Sequence, residues 1–265
     1  MRVKIEVEML QASIDEHDES HFRFLVDKKF VKYVTIDAGL YSVEDMCFAP
    51  ALIPLLPAFP PSDWNDGHLA KDPETSKPVF SRAVRQQFPG VKSTWHDTFV
   101  DHLELKSGRK LRSNVYEVSS PRFPSTVVAK FALFPWEIPH LEAETAAYQW
   151  IGGRGIGPRF LGHLTEEGRV IGFLIERIAE SRHAGPADLS ACQEALSRLH
   201  RLGVRHGDVN KHNFLIHEGR ATMIDFDCAR QFDNQEPLRM EFESLPAQLM
   251  DNSGRGGCEV ISNSS

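Results

Sequence analysis

A cluster of acidic and amide side chains lies in the stretch RHGDVNKHNFLIHEGRATMIDFD, residues 205–227. Asp208 and Asn213 are five positions apart, which suits a loop that folds back on itself. Asp225 follows after two short apolar runs around the turn Glu218-Gly219. Two such runs around a glycine turn indicate a β-hairpin, and a hairpin would return Asp225 to the side of Asn213.

These residue types can handle phosphate. Mg²⁺ prefers hard oxygen ligands together with phosphate oxygens and water, so the Asn213 amide oxygen and the Asp225 carboxylate could hold it beside ATP. The Asp208 carboxylate can then point at a substrate hydroxyl. The same residues could instead be ordinary turn residues. The order of the strands and helices that precede them helps to decide between a phosphate site and a simple turn.

The composition is that of an ordinary globular protein. The 265 residues are 41% hydrophobic and 25% charged, and the formal net charge of −7 disfavours a general nucleic-acid binder. No stretch approaches the roughly 20 apolar residues that a membrane-spanning helix needs, and the alternating start is unlike a secretory signal. The four cysteines form no Cys-x-x-Cys pair. We therefore expect a cytoplasmic or nuclear protein without a membrane partner, a nucleic-acid partner, structural zinc or a disulfide framework.

An N-terminal extension is predicted for residues 1–92. Charged and apolar residues alternate from Arg2 to Met9, and two further apolar runs occupy residues 21–26 and 30–36. Alternation with a period of two is typical of a half-buried strand. We therefore expect the extension to begin with a small antiparallel sheet.

The second half of the extension looks irregular. Residues 49–61 contain five prolines, a density that argues against regular helix and central strand and predicts an extended strap or a linker. Residues 62–92 are polar, and we expect no regular structure there apart from a short helix around Ser81–Gln87.

Three successive strands are predicted next, at residues 98–105, 114–120 and 125–134. Turns at 106–108 and 120–124 would separate them. The third strand carries Lys130, which on a strand is by itself an unremarkable solvated residue. Its place directly before an acidic helix is what suggests a function for it.

That helix contains two candidate partners for the lysine, Glu142 and Glu144. Leu141, Glu144 and Tyr148 recur at helical spacing and share one face, and the glycine pair after Ile151 ends the helix. Glu142 points roughly 160° away from that apolar stripe. We therefore expect the Glu144 carboxylate to point inward.

The rest of the chain is predicted to be a strand and two helices around the acidic cluster. Residues 170–178 form a continuous apolar run, as in a buried strand. Asp188 is a plausible N-cap for a helix that Gly203 would end. Leu238 to Leu249 again have helical spacing, although Pro246 should bend or divide that helix.

These motifs resemble those of the protein-kinase-like superfamily. His206-Gly207-Asp208-x-x-x-x-Asn213 is similar to the catalytic loop, Asp225-Phe226-Asp227 to the metal-binding triplet, and Val128-Ala129-Lys130 to the strand-three lysine motif. The His-Gly-Asp form resembles aminoglycoside and choline phosphotransferases and small atypical kinases. The stretch from about 67 to 257 most resembles poorly characterised fungal kinase-like proteins.

The resemblance implies an α+β, two-lobed protein-kinase-like fold. Residues 93–176 would form an N-lobe with a small antiparallel sheet. Residues 177–252 would form a shortened, mainly helical C-lobe, and residues 253–265 a disordered tail. The extension before residue 93 would either pack on the kinase-like part or form a separate module.

The resemblance also implies roles. Asp208 would accept or orient the proton of an acceptor hydroxyl, Asn213 and Asp225 would hold Mg²⁺, and Lys130 would contact the α and β phosphates of ATP while Glu144 holds it in place. The hinge that meets the adenine would consist of Glu176, Arg177 and Ile178. Asp227, where many kinases have glycine, would be a surface acid or a further metal ligand.

The chain departs from the family pattern in two places. The segment KSGRKLRSN, where a glycine-rich phosphate loop is expected, contains only Gly108, although Arg109, Lys110 and Arg112 could supply charge instead. Few residues follow Asp227, which favours a small hydroxyl acceptor, or a protein acceptor held by a partner. The alternative to an active phosphotransferase is a pseudokinase that binds nucleotide or acts as a scaffold.

Overall fold

The computed structural model describes residues 5–253. Its contacts divide the chain into two compact units, Met1–Pro89 and Gly90–Ser265. This division lies close to the boundary after residue 92 that the sequence suggested. The expected disordered tail, apart from Ser253, lies outside the described residues. Within residues 5–253, no helix is both long enough and apolar enough to cross a bilayer.

The first unit contains a five-stranded sheet. Its strands are β1 (Val7–Ser13), β2 (Ser20–Val26), β3 (Phe30–Ile36), β4 (Asp66–Lys71) and β5 (Pro78–Val84). They lie side by side in chain order, and every neighbouring pair is antiparallel except β3 and β4, which run parallel. The predicted strands at 21–26 and 30–36 are confirmed, but the sheet is mixed rather than purely antiparallel.

The prediction of an extended proline-rich strap is wrong. Two short helices, α1 (Val43–Cys47) and α2 (Ala49–Leu55), lie in the connection between β3 and β4. Pro50 occupies the first turn of α2, where the backbone N–H that proline lacks has no partner in the helix anyway. Pro54 lies one residue before the helix ends. The crossover through these helices is what allows β3 and β4 to run parallel.

The prediction that residues 62–92 are irregular, with a helix at 81–87, is also wrong. This segment supplies β4 and β5, and β5 begins at Pro78, a position where a missing N–H is tolerated. Trp64 is almost fully buried and packs against the rings of Phe59 and Phe80. Packing against this aromatic core favours the strand β5 over the helix that was predicted around residues 81–87.

The second unit contains a six-stranded sheet. Its strands are β6 (Phe99–Asp101), β7 (Lys106–Arg112), β8 (Val115–Ser119), β9 (Val127–Phe131), β10 (Phe160–Glu166) and β11 (Arg169–Glu176). They lie in the order β6-β10-β11-β9-β8-β7, and only the β6–β10 pair is parallel. Strands β8, β9 and β11 agree with the predictions.

Two predictions in this sheet need correction. The strand expected at 98–105 is split, because residues 102–104 form a helical turn after β6 and β7 begins at Lys106, where a turn was predicted. The strand β10 was not predicted. Its sequence, FLGHLTE, mixes glycine, histidine and threonine with apolar residues, and its burial depends on pairing with β11 on one side and β6 on the other.

The predicted helix is confirmed as α3 (Ile138–Ile151), and it packs against β11 of this sheet. Leu141 and Tyr148 are buried in the same apolar cluster as Phe173 of β11. Gly152 follows as the first residue after the helix. Glu144 therefore lies on the helix face that packs against the strands carrying Lys130 and the predicted hinge.

The remaining elements surround the acidic cluster. They are β12 (Arg182–His183), α4 (Leu189–His200), β13 (Val204–Arg205), β14 (Phe214–His217), β15 (Arg220–Met223), β16 (Arg230–Gln231) and α5 (Glu236–Met250). The predicted hairpin is confirmed as β14 and β15 around the turn Glu218-Gly219. Pro246 lies inside α5 without dividing it, at the cost of one backbone hydrogen bond to the Phe242 carbonyl. The mixed α+β class is confirmed.

Candidate functional site

A cavity of about 360 Å³ opens in the second unit. Its walls combine aliphatic side chains with charged ones. The aliphatic residues are Leu111, Val115, Val128, Ile175, Ile178, Leu215 and Ile224, and the charged ones include Arg112, Lys130, Glu144 and Asp225. The predicted hinge residues Glu176, Arg177 and Ile178 line it as well. A cavity whose aliphatic walls are joined by convergent charged groups fits a small-molecule site.

Lys130 of β9 lies between two carboxylates. Its Nζ is 2.6 Å from Glu144 Oε2 and donates a hydrogen bond to Asp225 Oδ1. Glu144 is almost fully buried, and its other oxygen accepts from the backbone N–H of Phe226. The strands β9 and β11 approach each other closely at this point. A Cβ on Gly172 would lie 2.2 Å from the Lys130 carbonyl oxygen, so a larger residue would not fit. The glycine thus permits β11 to pack beside Lys130.

The charges of this cluster depend on one another. Burial opposes the charged form of Lys130, but Glu144 and Asp225 outweigh it and raise the lysine pKa. Burial also acts against ionised Asp225, yet Lys130 and Arg112 hold its pKa below the usual value. For Glu144, burial raises the pKa, and the nearby Asp225 adds to this while Lys130 opposes it. Lys130 is therefore the cation that favours the ionised form of both carboxylates.

Glu142, the other candidate on α3, has a different partner. Its carboxylate accepts hydrogen bonds from the backbone N–H groups of Lys92 and Ser93 and from the Ser93 hydroxyl. These bonds keep its pKa low although burial acts against them. Of the two glutamates, it is Glu144 that meets Lys130.

Asp208 and Asn213 lie in the loop between β13 and β14. The Asp208 carboxylate accepts hydrogen bonds from the Nδ2 atoms of Asn210, at 2.8 Å, and Asn213, at 3.1 Å. Asn213 Nδ2 also donates to the Asp208 carbonyl at 2.9 Å. The amide of Asn213 is thereby fixed, and its Oδ1 is buried without a hydrogen-bond partner among residues 5–253.

Asp225 follows the hairpin and lies next to this loop. The backbone N–H of Ile224 donates to the Asn213 carbonyl at 3.0 Å, which joins the two segments directly. Asp225 has a φ of 67°, a left-handed conformation that non-glycine residues seldom adopt outside turns and functional sites. An orphaned amide oxygen beside a carboxylate is a hard-oxygen donor set, so the residues present fit Mg²⁺.

His206 supports the loop from within. It is fully buried, and burial lowers its pKa, so the neutral ring donates from Nε2 to the Ile224 carbonyl at 3.0 Å. The other ring nitrogen, Nδ1, accepts from the backbone N–H of Asp208. The ring therefore ties the loop to the end of the hairpin, as expected of a structural histidine.

Glu241 of α5 is a supporting residue that the sequence analysis missed. Its carboxylate accepts from the backbone N–H groups of His206 and Gly207, at 2.9 and 2.7 Å, and lies 2.8 Å from His200 Nε2. The available signal was its position, because Glu241 shares the buried face of α5 with Leu238 and Leu245. An acid on an apolar helix face needs such partners.

We expect Glu241→Ala to destabilise the second unit by about 3 kcal/mol, because two buried N–H groups lose a charged acceptor. Urea denaturation measures the change, and Glu243→Ala, which breaks an exposed ion pair with Arg239 on the same helix, should cost less than about 0.5 kcal/mol. Hydrogen bonds keep the pKa of Glu241 low despite burial. The stabilisation is thus present above the ordinary pKa of 4.5 and is lost as pH falls below it. Equal effects of the two variants would contradict this role.

The remaining predicted residues lie nearby with partners of their own. Arg177 Nε donates to Glu117 Oε1 at 2.6 Å, and this bond chiefly lowers the glutamate pKa. The backbone N–H of Glu176 donates to the Arg159 carbonyl. The Oδ2 atom of Asp227 lies 3.9 Å from Nδ1 of the exposed His140.

A comparison with protein families matches residues 177–252 to the lipopolysaccharide kinase (Kdo/WaaP) family. The matched segment includes Asp208, Asn213 and Asp225, whereas Lys130 and Glu144 precede it. A search among curated proteins found no match. The resemblance to fungal kinase-like proteins therefore stays an expectation. The match covers less than half of the chain, and it shows that residues 177–252 are similar to a kinase family of the protein-kinase-like superfamily.

Proposed function

We propose that the chain is an ATP- and Mg²⁺-dependent phosphotransferase that moves the γ-phosphoryl group of ATP to a hydroxyl of a small molecule or protein. One observation carries the proposal. The buried Lys130–Glu144 pair meets Asp225 at a cavity, and Asp225 lies beside an Asn213 whose Oδ1 has no partner among residues 5–253. The match to a family of kinases supports transfer over the alternative of a pseudokinase.

In this proposal the cavity holds the nucleotide. Its aliphatic walls suit a flat base, and residues 176–178, which line the cavity, would offer their backbone groups to the adenine. Lys130 would bind the α and β phosphates while Glu144 keeps it in place. Asn213 Oδ1 and the Asp225 carboxylate would hold Mg²⁺, which when bound offsets phosphate charge.

Asp208 would act on the acceptor. Its carboxylate is oriented by the Asn210 and Asn213 amides, so it can accept or orient the proton of a substrate hydroxyl. The hydroxyl oxygen forms a bond to the γ-phosphorus, the bond from that phosphorus to the bridging oxygen of ATP breaks, and ADP leaves. The protein contributes positioning and charge rather than a covalent intermediate.

The proposed domain organisation follows the same reasoning. The six-stranded sheet with α3 would form the N-lobe, residues 93–176, and the elements from 177 to 252 the C-lobe. Residues 1–92 would be an added module with its own core. A two-lobed arrangement predicts that nucleotide protects backbone amides on both sides of the cavity from hydrogen exchange.

Thermal shift with ATP tests the proposal. We expect the melting temperature to rise by about 5 °C with Mg²⁺ and ATP at roughly 100 times the dissociation constant. The Mg²⁺-dependent part of the rise should vanish in Asp225→Ala, which lacks a proposed metal ligand, and persist in Asp233→Ala, which removes an exposed acid. Wild-type protein that shows no shift with any nucleotide would contradict the proposal.

A further inference from the structure

Arg112, the last residue of β7, lines the cavity and contacts Asp225, one of the two proposed metal ligands. Its Nη1 is 2.9 Å from Asp225 Oδ2, and its Nη2 donates to the His212 carbonyl at 3.4 Å. The Arg112 and Asp225 side chains are each 25% exposed. The guanidinium thus joins a strand of the six-stranded sheet to the loop that carries Asn213.

Two neighbouring basic residues of β7 have other partners, although Arg109 also lines the cavity. Arg109 pairs with Glu117 at 3.0 Å, and Lys110 lies over the ring of Tyr116. The turn that joins β7 to β8 is Ser113-Asn114 and contains no glycine. Of the three basic side chains that could compensate for a missing glycine-rich loop, Arg112 is the one that contacts Asp225.

The contacts of Asp225 create a competition. In this structure Lys130 binds its Oδ1 and Arg112 binds its Oδ2, so both carboxylate oxygens are engaged by cations. If Asp225 holds Mg²⁺, the ion competes with these two cations for the same carboxylate. Lys130 has a second buried carboxylate, Glu144, to keep it in place, whereas the other contact of Arg112 is a long bond to a carbonyl. Arg112 is therefore the side chain more easily released.

We propose that Arg112 is a phosphate-binding residue that exchanges its partner. In the arrangement described above it pairs with Asp225, and with nucleotide bound it would turn to the phosphate oxygens while Asp225 would turn to Mg²⁺. This inference rests on the proposed function. A guanidinium presents a planar fork of donors that matches phosphate, so it can replace backbone amides of a glycine-rich loop.

Binding of ATP and of adenosine to four proteins tests the inference. They are the wild type, Arg112→Ala, Arg112→Lys and, as a control, Arg122→Ala, which breaks an exposed pair with Glu104 away from the cavity. Arg112→Ala should weaken Mg²⁺-ATP binding about tenfold or more and change adenosine binding less than twofold. Arg112→Lys should retain part of the ATP affinity, because it keeps the charge but loses the fork. The control should match the wild type for both ligands.

Other outcomes overturn the inference in distinguishable ways. Equal weakening of ATP and adenosine binding by Arg112→Ala would assign Arg112 a purely structural role. Unchanged or tighter ATP binding would show that Arg112 does not bind the phosphates. In these cases the wild type still binds ATP, so the proposed function stands. A wild type that binds neither ligand would overturn both, and circular dichroism of each variant confirms that it is folded.

Discussion

Replacing Asp208 by alanine is expected to lower the rate of phosphoryl transfer about 10²–10⁴-fold, the range for losing a positioned general base. ATP affinity should change less than about threefold, because Asp208 faces the acceptor rather than the nucleotide in the proposed arrangement. The rate of ADP formation and the dissociation constant of Mg²⁺-ATP, measured on the same preparation, separate the two effects.

The variant Asp208→Asn separates the effect of the charge of Asp208 from the effect of its shape. It preserves the size of the side chain next to Asn210 and Asn213 but removes the carboxylate that would take the proton. A rate close to that of the alanine variant would indicate that the charge matters rather than the shape. If Asp208→Ala turned over as fast as the wild type, the assignment would be wrong. If the wild type showed no turnover and the variant kept its cellular activity, the pseudokinase alternative would be favoured.

Lys130→Met is expected to cost about 3–5 kcal/mol of unfolding free energy and to abolish measurable nucleotide binding. The substitution leaves the carboxylate of Glu144, which is only 2% exposed, without its cation. It also removes the cation bound to Asp225 Oδ1. Because burial already raises the pKa of Glu144, its carboxyl should take up a proton in the variant and recover part of the loss.

A double variant isolates the pair. Lys130→Met with Glu144→Gln removes both charges, and it should be more stable than Lys130→Met alone although still unable to bind ATP. Lys106→Met, on the exposed face of β7, controls for loss of a lysine. Urea denaturation gives the free energies, and a loss below about 1 kcal/mol for Lys130→Met would contradict a buried ion pair.

The parts of the site that sequence predicted are those encoded by local patterns. The hairpin follows from two apolar runs around Glu218-Gly219, and it places Asp225 beside Asn213. The inward orientation of Glu144 follows from helical spacing with Leu141 and Tyr148. In each case a short local pattern predicts the direction in which the chain or the side chain points, and the packing in the structure agrees with that direction.

The parts that sequence did not predict depend on distant partners. Arg112 meets Asp225 across 113 positions, and Glu241 binds backbone groups more than 30 positions earlier, so neither contact leaves a local pattern. The helix α2 was missed because proline was counted as a helix breaker, although Pro50 occupies a permitted position. The strand β10 needs two neighbouring strands to bury it, and its mixed composition gives no clear alternation.

The central claim is that this site transfers phosphate, and turnover by the wild-type protein tests it most directly. ATP labelled on the γ-phosphate would be incubated with the protein and Mg²⁺, first alone and then with a panel of hydroxyl compounds. We expect ADP formation that requires Mg²⁺, is slow when water is the acceptor and rises with one class of hydroxyl compound. ATP that binds with Mg²⁺ but stays intact under every condition would contradict it.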